Sequence, residues 1–234
     1  MISERNAPRL LGAAYLFVLV VSAISGALLA SVVGPGNVTS VVGVGNISDI
    51  LAGISENVTL FRVSILTELA TSTGIVALAV LLYLVLNRQS RVIALVALGL
   101  WLAEAITLAV SKIGAFALIP LSQEFVAVGA PDASHYQTLG GLLYFVVDRT
   151  GYDIHMWFFG LGGMLWYLLF YRSGHIPRVM AAWGILSVIV GFAGTVLTWL
   201  DVNVNFLLFA QIAVFELTIG LWLLIRGIKS DEVP

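Results

Sequence analysis

Long apolar runs constrain this sequence more than any other feature. A helix of about 20 apolar residues crosses the hydrocarbon core of a bilayer, which is about 30 Å thick, and helices are stable there because their backbone hydrogen bonds are satisfied internally. Only 10% of the residues are charged, whereas a typical soluble domain has about 25%. We therefore predict an all-α polytopic membrane protein, a six-transmembrane-helix bundle that forms a single domain over residues 1–234. The predicted spans are residues 10–33, 61–86, 92–121, 152–170, 179–200 and 206–225.

The first apolar run begins as a signal peptide would, with Arg5 and Arg9 before it. Signal peptides have apolar cores of about 7 to 15 residues, and the run over residues 10–33 is longer. We predict that this run is a retained span; cleavage after Ala30 is the alternative.

Basic residues indicate the orientation, because Lys and Arg accumulate in cytoplasmic loops. Eight of them fall on one side of the membrane if both termini are cytoplasmic. These are Arg5, Arg9, Arg88, Arg91, Arg172, Arg178, Arg226 and Lys229. The opposite loops hold mostly acidic residues, with Arg149 as the clearest exception. We predict a plasma-membrane protein with an N-in/C-in topology and the lipid bilayer as its surroundings.

Two external loops are predicted, residues 35–60 and 122–151. The first contains glycosylation sequons at Asn37, Asn46 and Asn57; the alternative is that these asparagines are ordinary turn residues. Within the second loop, the apolar stretch 138–147 is too short to cross a bilayer. It either lies at the interface or extends span four outward through a break at residues 148–151.

Five ionisable residues within the spans are candidates for a ligand, ion or proton site. They are Glu68, Glu104, Lys112, His155 and Glu216. A charge at the bilayer centre costs a few kcal/mol, so such groups usually face the interior and find partners. At 1.5 Å per residue from the cytoplasmic arginines, Glu68 and Lys112 both lie at a depth of about 30 Å, and His155 at about 26 Å. Lys112 can therefore be compensated by Glu68.

Glu104 and Glu216 are expected near the midplane, at depths of about 20 and about 15 Å, with no basic residue at their level. If they approach each other, one should hold a proton near neutral pH, because burial and a like charge both disfavour the ionised form. The shared proton would either form a hydrogen bond that links the two helices or let the pair serve as a proton carrier. The alternative is architectural: Glu68 and Lys112 form a scaffold ion pair, and the two other glutamates are neutral core groups.

Several kinds of chemistry find no support in the sequence. The chain has no Cys, which excludes thiolate metal sites and a cysteine nucleophile. His155, His135 and His175 cannot converge in this topology, so we predict no metal and no cofactor. Catalytic motifs such as G-x-S-x-G and H-E-x-x-H are absent, and an enzyme is the less favoured hypothesis. The net charge of −2 argues against nucleic acid as a partner.

The turn RSGHIPR connects spans four and five. Arg172, His175 and Arg178 are candidates for binding an anionic lipid headgroup. The alternative is a tight topological turn, because Gly174 can take a left-handed C-cap conformation and Pro177 suits the first turn of a helix.

Four stretches resemble an integral membrane family known as domain-of-unknown-function number 4386. They are FRVSILTELATSTGIVALAVLLYLVL (61–86), WLAEAI (101–106), FFGLGGMLWYLLFYRSGHIPRV (158–179) and FELTIGLWLLIRGIK (215–229). The resemblance implies a six-span bacterial or archaeal membrane protein with no assigned activity. It marks as motif positions Glu104, Glu216, Arg172, Ser173, Pro177 and Arg178.

The chain departs from this family at two motif positions. Trp101 and Leu102 stand where an Arg often precedes the third-span Glu, and Phe215 stands where a Gly often precedes the last-span Glu. The missing arginine favours a protonated Glu104.

The sequence therefore supports two functional hypotheses. The first is the binding or transport of a small molecule or ion through an interior with protonatable carboxylates. The alternative is a structural or accessory subunit of a larger membrane complex, or a homo-oligomer, that packs through small-residue stripes. Such stripes are Ser22, Gly26 and Ala30 in span one, and Gly184, Ser187, Gly191, Gly194 and Thr198 in span five. An intramembrane lipid enzyme would need a metal or nucleophile that the sequence does not offer.

Overall fold

A computed structural model of the chain describes residues 7–38, 46–132, 134–200, 202, 204, 205 and 207–228. These residues are almost entirely helical, and none of them forms a β-strand. The α-helices are α1 (Ala7–Val33), α2 (Ile47–Glu56), α3 (Val58–Leu86), α4 (Arg91–Ala127), α5 (His135–Gly141), α6 (Thr150–Ser173), α7 (Arg178–Trp199) and α8 (Leu207–Arg226). A 3-10 turn occupies Pro35–Asn37 and a π-helix occupies Leu142–Arg149. Arg5, Lys229, residues 39–45 of the first predicted loop and the predicted start of span six at residue 206 lie outside the described residues.

Within this part of the chain, six helical segments are long and apolar enough to cross a membrane. They are Pro8–Val33, Val58–Leu86, Arg91–Ala127, His135–Ser173, Arg178–Trp199 and Leu207–Arg226. The prediction of an all-α membrane protein with six spans is thus confirmed. The largest differences in length concern the third span, which continues to Ala127, and the fourth, which begins at His135.

The second predicted loop is largely helical. The helix α5, the π-helix and α6 follow one another without interruption, so the apolar stretch 138–147 extends span four. The expected break at 148–151 is instead a π-helical stretch that ends at Arg149. A π-helix has wider turns than an α-helix; it is rare and is frequently found at functional sites. Here Asp148 and Arg149 are both buried, at 2% and 4% exposure.

The first predicted loop also contains a helix. Asn46 begins α2, and its side chain accepts a hydrogen bond from the Ser48 backbone N–H at 3.0 Å, as N-cap residues do. Helix α2 then buries Ile50, Leu51 and Ile54, an apolar face at helical spacing.

The chain divides into two compact units. Unit 1 comprises Met1–Leu19, Thr73–Ala105 and Met156–Pro234; unit 2 comprises Val20–Ser72 and Ile106–His155. The boundaries fall inside α1, α3, α4 and α6, so these helices contribute to both units. The single-domain organisation stays a prediction.

Unit 2 has its own apolar core. Its buried residues are Leu29, Val32, Val33, Ile50, Leu51, Ile54, Phe61, Ile65, Ala115, Leu118, Ile119, Phe125, Tyr144 and Phe145. Helix α2 reaches α1 through Gly53, where an added Cβ would lie only 2.2 Å from the Val32 carbonyl oxygen. The small residue therefore permits the contact between these two helices.

Unit 1 is also assembled through glycines. The predicted stripe on span five packs against α8, because Cβ atoms added at Gly184 and Gly191 would lie 2.5 Å from Phe215 and 2.3 Å from Ile212. The stripe on span one behaves differently: Ser22 and Gly26, which belong to unit 2, are exposed, and nothing in the described chain lies within 4 Å of a Cβ added at Gly26.

Candidate functional site

Lys112 is buried in unit 2 at 2% exposure and contacts two carboxylates. Its Nζ lies 2.8 Å from Glu68 Oε2 on α3 and 2.6 Å from Asp148 Oδ1 on the π-helix. The expected pairing of Lys112 with Glu68 is therefore present. Asp148, which the sequence places in an external loop, is a second partner.

Arg149 completes this arrangement. Its Nε and Nη2 each lie 2.9 Å from Asp148 Oδ2. Its guanidinium carbon lies 5.1 Å from the centroid of the Tyr152 ring and 5.9 Å from that of Tyr144, within the range of a cation–π contact. We call Glu68, Lys112, Asp148 and Arg149 the ionic network; it contains two carboxylates and two cations, so its formal charges cancel.

Close helix packing brings the network together. A Cβ added at Gly151 would lie 2.4 Å from the Ser111 Cβ, and one added at Gly114 would lie 2.8 Å from the Leu143 carbonyl oxygen. Lys112 stands between these two contact points along α4, and Asp148 precedes Gly151 by about one turn. The glycines therefore let the backbones approach closely enough for Lys112 to reach Asp148.

Asp148 and Arg149 are site residues that reasoning from sequence missed. Arg149 was the exception to the basic-residue asymmetry, and its burial against Asp148 accounts for that exception. One signal was available: two adjacent opposite charges directly follow the apolar stretch 138–147. If the apolar stretch continues the span, the opposite charges of such a pair can neutralise each other inside the membrane.

His155 lies in the same unit, buried at 7% exposure. Its Nδ1 bonds to the Tyr152 carbonyl oxygen in its own helix, and because a carbonyl only accepts, Nδ1 carries the proton. Its ring also packs edge-on against the Tyr152 ring, with centroids 4.4 Å apart. Within the described ranges, no three His, Asp or Glu side chains form a group that could hold a metal ion.

Glu104 and Glu216 both belong to unit 1 and interact electrostatically. Glu104 is 3% exposed and Glu216 is half-buried. Neither forms an ion pair with any described residue. The two carboxyls therefore lie within electrostatic range of each other, and their close approach stays a prediction.

Two tyrosines join this carboxyl pair. Tyr15 interacts electrostatically with Glu216, and Tyr167 interacts with both glutamates. The two tyrosine hydroxyls face each other, yet neither has a hydrogen-bond partner of ordinary geometry among the described residues. Reasoning from sequence missed both, because a tyrosine in an apolar span has the same pattern as a core aromatic.

The turn between α6 and α7 has the geometry of a compact connection. Gly174 adopts φ 66°, and the His175 backbone N–H donates to Ser173 Oγ at 3.2 Å. Arg172 and Arg178 are exposed, whereas His175 is buried at 9% exposure. Lipid headgroup binding by this turn stays a prediction.

The three sequon asparagines bond to backbone atoms near helix ends. Asn46 accepts from Ser48 as the N-cap of α2, whereas the side-chain amides of Asn37 and Asn57 donate to the Val33 and Gly53 carbonyls at 2.6 and 3.1 Å. These hydrogen bonds give a structural reason for an asparagine at each position, and this reason does not require glycosylation. Glycosylation at the three sites stays a prediction.

Comparison with known proteins identifies a family. A family model described as "Domain of unknown function (DUF4386)" matches residues 10–227. No curated protein and no solved structure matches the chain. The match includes all four members of the ionic network and the carboxyl pair of unit 1, together with nearly the whole of each stretch on which the sequence resemblance rests. The chain therefore belongs to the DUF4386 family of membrane proteins.

Proposed function

We propose that this protein binds or transports a small molecule or ion, and that the ionic network is the binding site. The observation that carries the proposal is a network of three buried charged side chains and the half-buried Glu68 within segments able to span a membrane, with Lys112 and Asp148 each 2% exposed. Ionisable groups at such positions usually serve function. Replacing a buried ion pair by apolar residues is often neutral or stabilising, so stability alone does not account for the network.

The chemistry of the network suits a charged solute. An anion would replace Asp148 as the partner of Lys112 and Arg149, and a cation would replace Lys112 as the partner of the carboxylates. Glu68 is the most accessible member of the network, since its side chain is 14% exposed against 2–4% for the others. A solute would therefore contact Glu68 first.

Solute binding at the network requires a salt bridge to open. A surface groove of about 360 Å³ is lined by Thr107, Ser111, Gly151 and apolar residues, and includes no member of the network. If an anion takes the place of Asp148, both cations stay paired, and the displaced Asp148 carboxylate must take up a proton or reach water, because an uncompensated buried charge is costly.

The proposal includes an orientation and a location. We place both termini in the cytoplasm and the protein in the plasma membrane, because most of the basic residues at span ends fall on one side. Among them are Arg9, Arg88, Arg91, Arg172, Arg178 and Arg226. In that orientation Arg172, His175 and Arg178 face the cytoplasmic leaflet, where anionic lipids are found. The pair of Glu104 and Glu216 supplies the carboxyls that would exchange a proton during transport.

Ion flux into liposomes tests the proposal. Purified protein is reconstituted, gradients of sodium, potassium and chloride are imposed in turn, and flux is followed with ion-selective electrodes. We expect the protein to dissipate at least one gradient faster than protein-free liposomes, and Asp148→Asn to abolish this flux while the helical content, measured by circular dichroism, is kept. Glu124→Gln, on an exposed part of α4, is the matched control and should behave as the wild type. The absence of flux for all three ions, or unchanged flux in Asp148→Asn, contradicts the proposal.

A second candidate function is that of a subunit in a larger assembly. Ser22 and Gly26 are exposed on α1, and with Ala30 they repeat every four residues, which is the spacing of close helix contacts in membranes. A partner helix or a second copy of this chain would fit this stripe. Native mass after mild solubilisation tests this function: a complex that Gly26→Leu dissociates supports it, whereas a monomer in both proteins opposes it.

A further inference from the structure

Four buried oxygens in unit 1 have no hydrogen bond of ordinary geometry among the described residues. They are the hydroxyls of Tyr15 and Tyr167, Oε2 of Glu104 and Oγ of Ser187. The two tyrosine hydroxyls face each other, and Tyr15, Tyr167 and Glu104 are 1%, 0% and 3% exposed. Buried polar atoms without ordinary partners are rare in folded proteins, and each needs a specific explanation, such as a functional role or a bound species. Tyr15, Tyr167 and Glu104 all interact with Glu216, so these three share one explanation.

The crossing of α1 and α8 positions Tyr15 and Glu216. A Cβ added at Gly12 would lie 2.7 Å from the Gly220 carbonyl oxygen and 2.5 Å from the Leu224 nitrogen, so the two backbones touch. Tyr15 follows Gly12 by about one turn, and Glu216 precedes Gly220 by about one turn. The crossing thus directs both side chains to the same level.

The crossing of α4 and α6 positions Glu104, and the packing of α6 against α8 positions Tyr167. A Cβ added at Gly162 would lie 2.4 Å from Cδ1 of Trp101, and the Trp101 indole donates to the Phe159 carbonyl at 3.2 Å. Glu104 follows Trp101 by about one turn. Tyr167 lies on the other side of this crossing, because the two helices are antiparallel, and its ring packs edge-on against Phe215, the neighbour of Glu216, with centroids 4.9 Å apart. Tyr167 is held in turn by Gly184 of α7, where a Cβ would lie 2.9 Å from its ring.

Among the described residues, no cation forms an ion pair with either carboxyl. Helix α1 contributes Tyr15, α4 contributes Glu104, α6 contributes Tyr167 and α8 contributes Glu216. Helix α7 contributes none, because its one ionisable residue, Arg178, is exposed, and residues 73–86 of α3 contain no acidic or basic side chain. Two ionised carboxylates in this setting would repel each other in a medium of low dielectric constant.

We propose that Tyr15, Glu104, Tyr167 and Glu216 form a binding site for one exchangeable proton. The proton comes from solvent and forms an O–H bond on one carboxyl, which then donates to the other. The second carboxylate keeps its negative charge and accepts hydrogen bonds from the two phenols. This state gives partners to the unpartnered oxygens of Tyr15, Tyr167 and Glu104 and leaves a single delocalised charge. The inference rests on the proposed function for the use of this proton in transport, but proton binding itself does not depend on transport.

Infrared difference spectroscopy tests the site directly. The full-length protein in lipid is brought through a series of pH steps, in H2O and in D2O, and the C=O stretch of protonated carboxyl groups is followed. We expect a band that disappears as the pH rises and that Glu104→Gln and Glu216→Gln each abolish. Tyr15→Phe and Tyr167→Phe each remove one oxygen and keep the ring, so these variants should fold and shift the band. Glu124→Gln is the matched control and should leave it unchanged.

Other outcomes overturn the inference. A band that is identical in the wild type and both Gln variants would assign the proton elsewhere, and a band insensitive to both Phe variants would remove the tyrosines from the site. A spectrum that responds to sodium at constant pH, and not to pH, would make the site a cation site. Failure is distinguishable from failure of the proposed function: the band can persist in a protein without ion flux, and flux can persist in a protein without the band.

Discussion

Nζ of Lys112 lies 2.6 Å from Oδ1 of Asp148, closer than the 2.8 Å that separates it from Glu68 Oε2. The lysine of α4 is therefore bound to the π-helix as well as to α3. Because Asp148 also accepts from Arg149 at 2.9 Å, the four residues form one network and not two separate pairs.

Replacing Lys112 by an uncharged side chain of similar length should destabilise the fold. Lys112→Met leaves two buried carboxylates with one cation, and removing one member of a buried ion pair costs about 3–5 kcal/mol. The measurement is the midpoint of thermal unfolding in detergent. Arg178→Met, which removes an exposed cation, is the control and should leave the midpoint nearly unchanged. Equal midpoints for the two variants would show that the network contributes little to stability.

Exchanging the charges of Glu68 and Lys112 should fail to restore stability. In an isolated pair, the double variant Glu68→Lys with Lys112→Glu would recover the interaction. Here the new carboxylate at position 112 would face Asp148, and like charges at this distance repel. Adding Asp148→Asn to the double variant should raise the unfolding midpoint again. Full recovery by the double variant alone would show that the pair acts without Asp148.

Gly151→Ala should disturb the contact between α4 and α6, because its Cβ would lie 2.4 Å from that of Ser111. Overpacking of this kind costs about 1–3 kcal/mol. Gly141→Ala, in the same helical segment, is the matched control, since nothing lies within 4 Å of its added Cβ. There alanine should be neutral, or stabilising by about 0.5–1 kcal/mol. Comparison of the two unfolding midpoints checks the prediction, and the reverse order would contradict it.

The orientation can be measured directly because the chain has no Cys. Single cysteines are introduced at two exposed positions, Gln89→Cys in the connection between α3 and α4 and Asp132→Cys between α4 and α5. With both termini in the cytoplasm, a membrane-impermeant maleimide should label the Asp132→Cys protein in intact cells. It should label the Gln89→Cys protein only after lysis. The opposite pattern would reverse the proposed topology.

Much of the fold could be predicted from the chain because the signal is local. Apolar runs long enough to cross a bilayer are visible residue by residue, so six spans were predictable even though several ends moved. Lys112 and Glu68 could be paired because helical rise converts sequence position into depth. The same reasoning brought Glu104 to the level of Glu216.

The least predictable part was the segment before α6. Hydropathy placed Asp148 and Arg149 in a loop, because a charged pair ends an apolar stretch that is too short to cross by itself. Their burial depends on the approach of α4 at Ser111 and Gly114, which lie more than thirty residues away along the chain. A local sequence pattern cannot show that two segments so far apart in the chain come into contact.

The sequence by itself determined that the protein is helical, that it crosses the membrane six times and that its embedded charges must find partners, since an apolar environment imposes these requirements on every segment separately. Only the tertiary structure decided which partners they find. Asp148 joins Lys112, and Tyr15 and Tyr167 join the two glutamates, because glycines set where the helices cross and how each one is rotated. Rotation and crossing depend on contacts between distant segments, and these contacts exist only once the helices have packed.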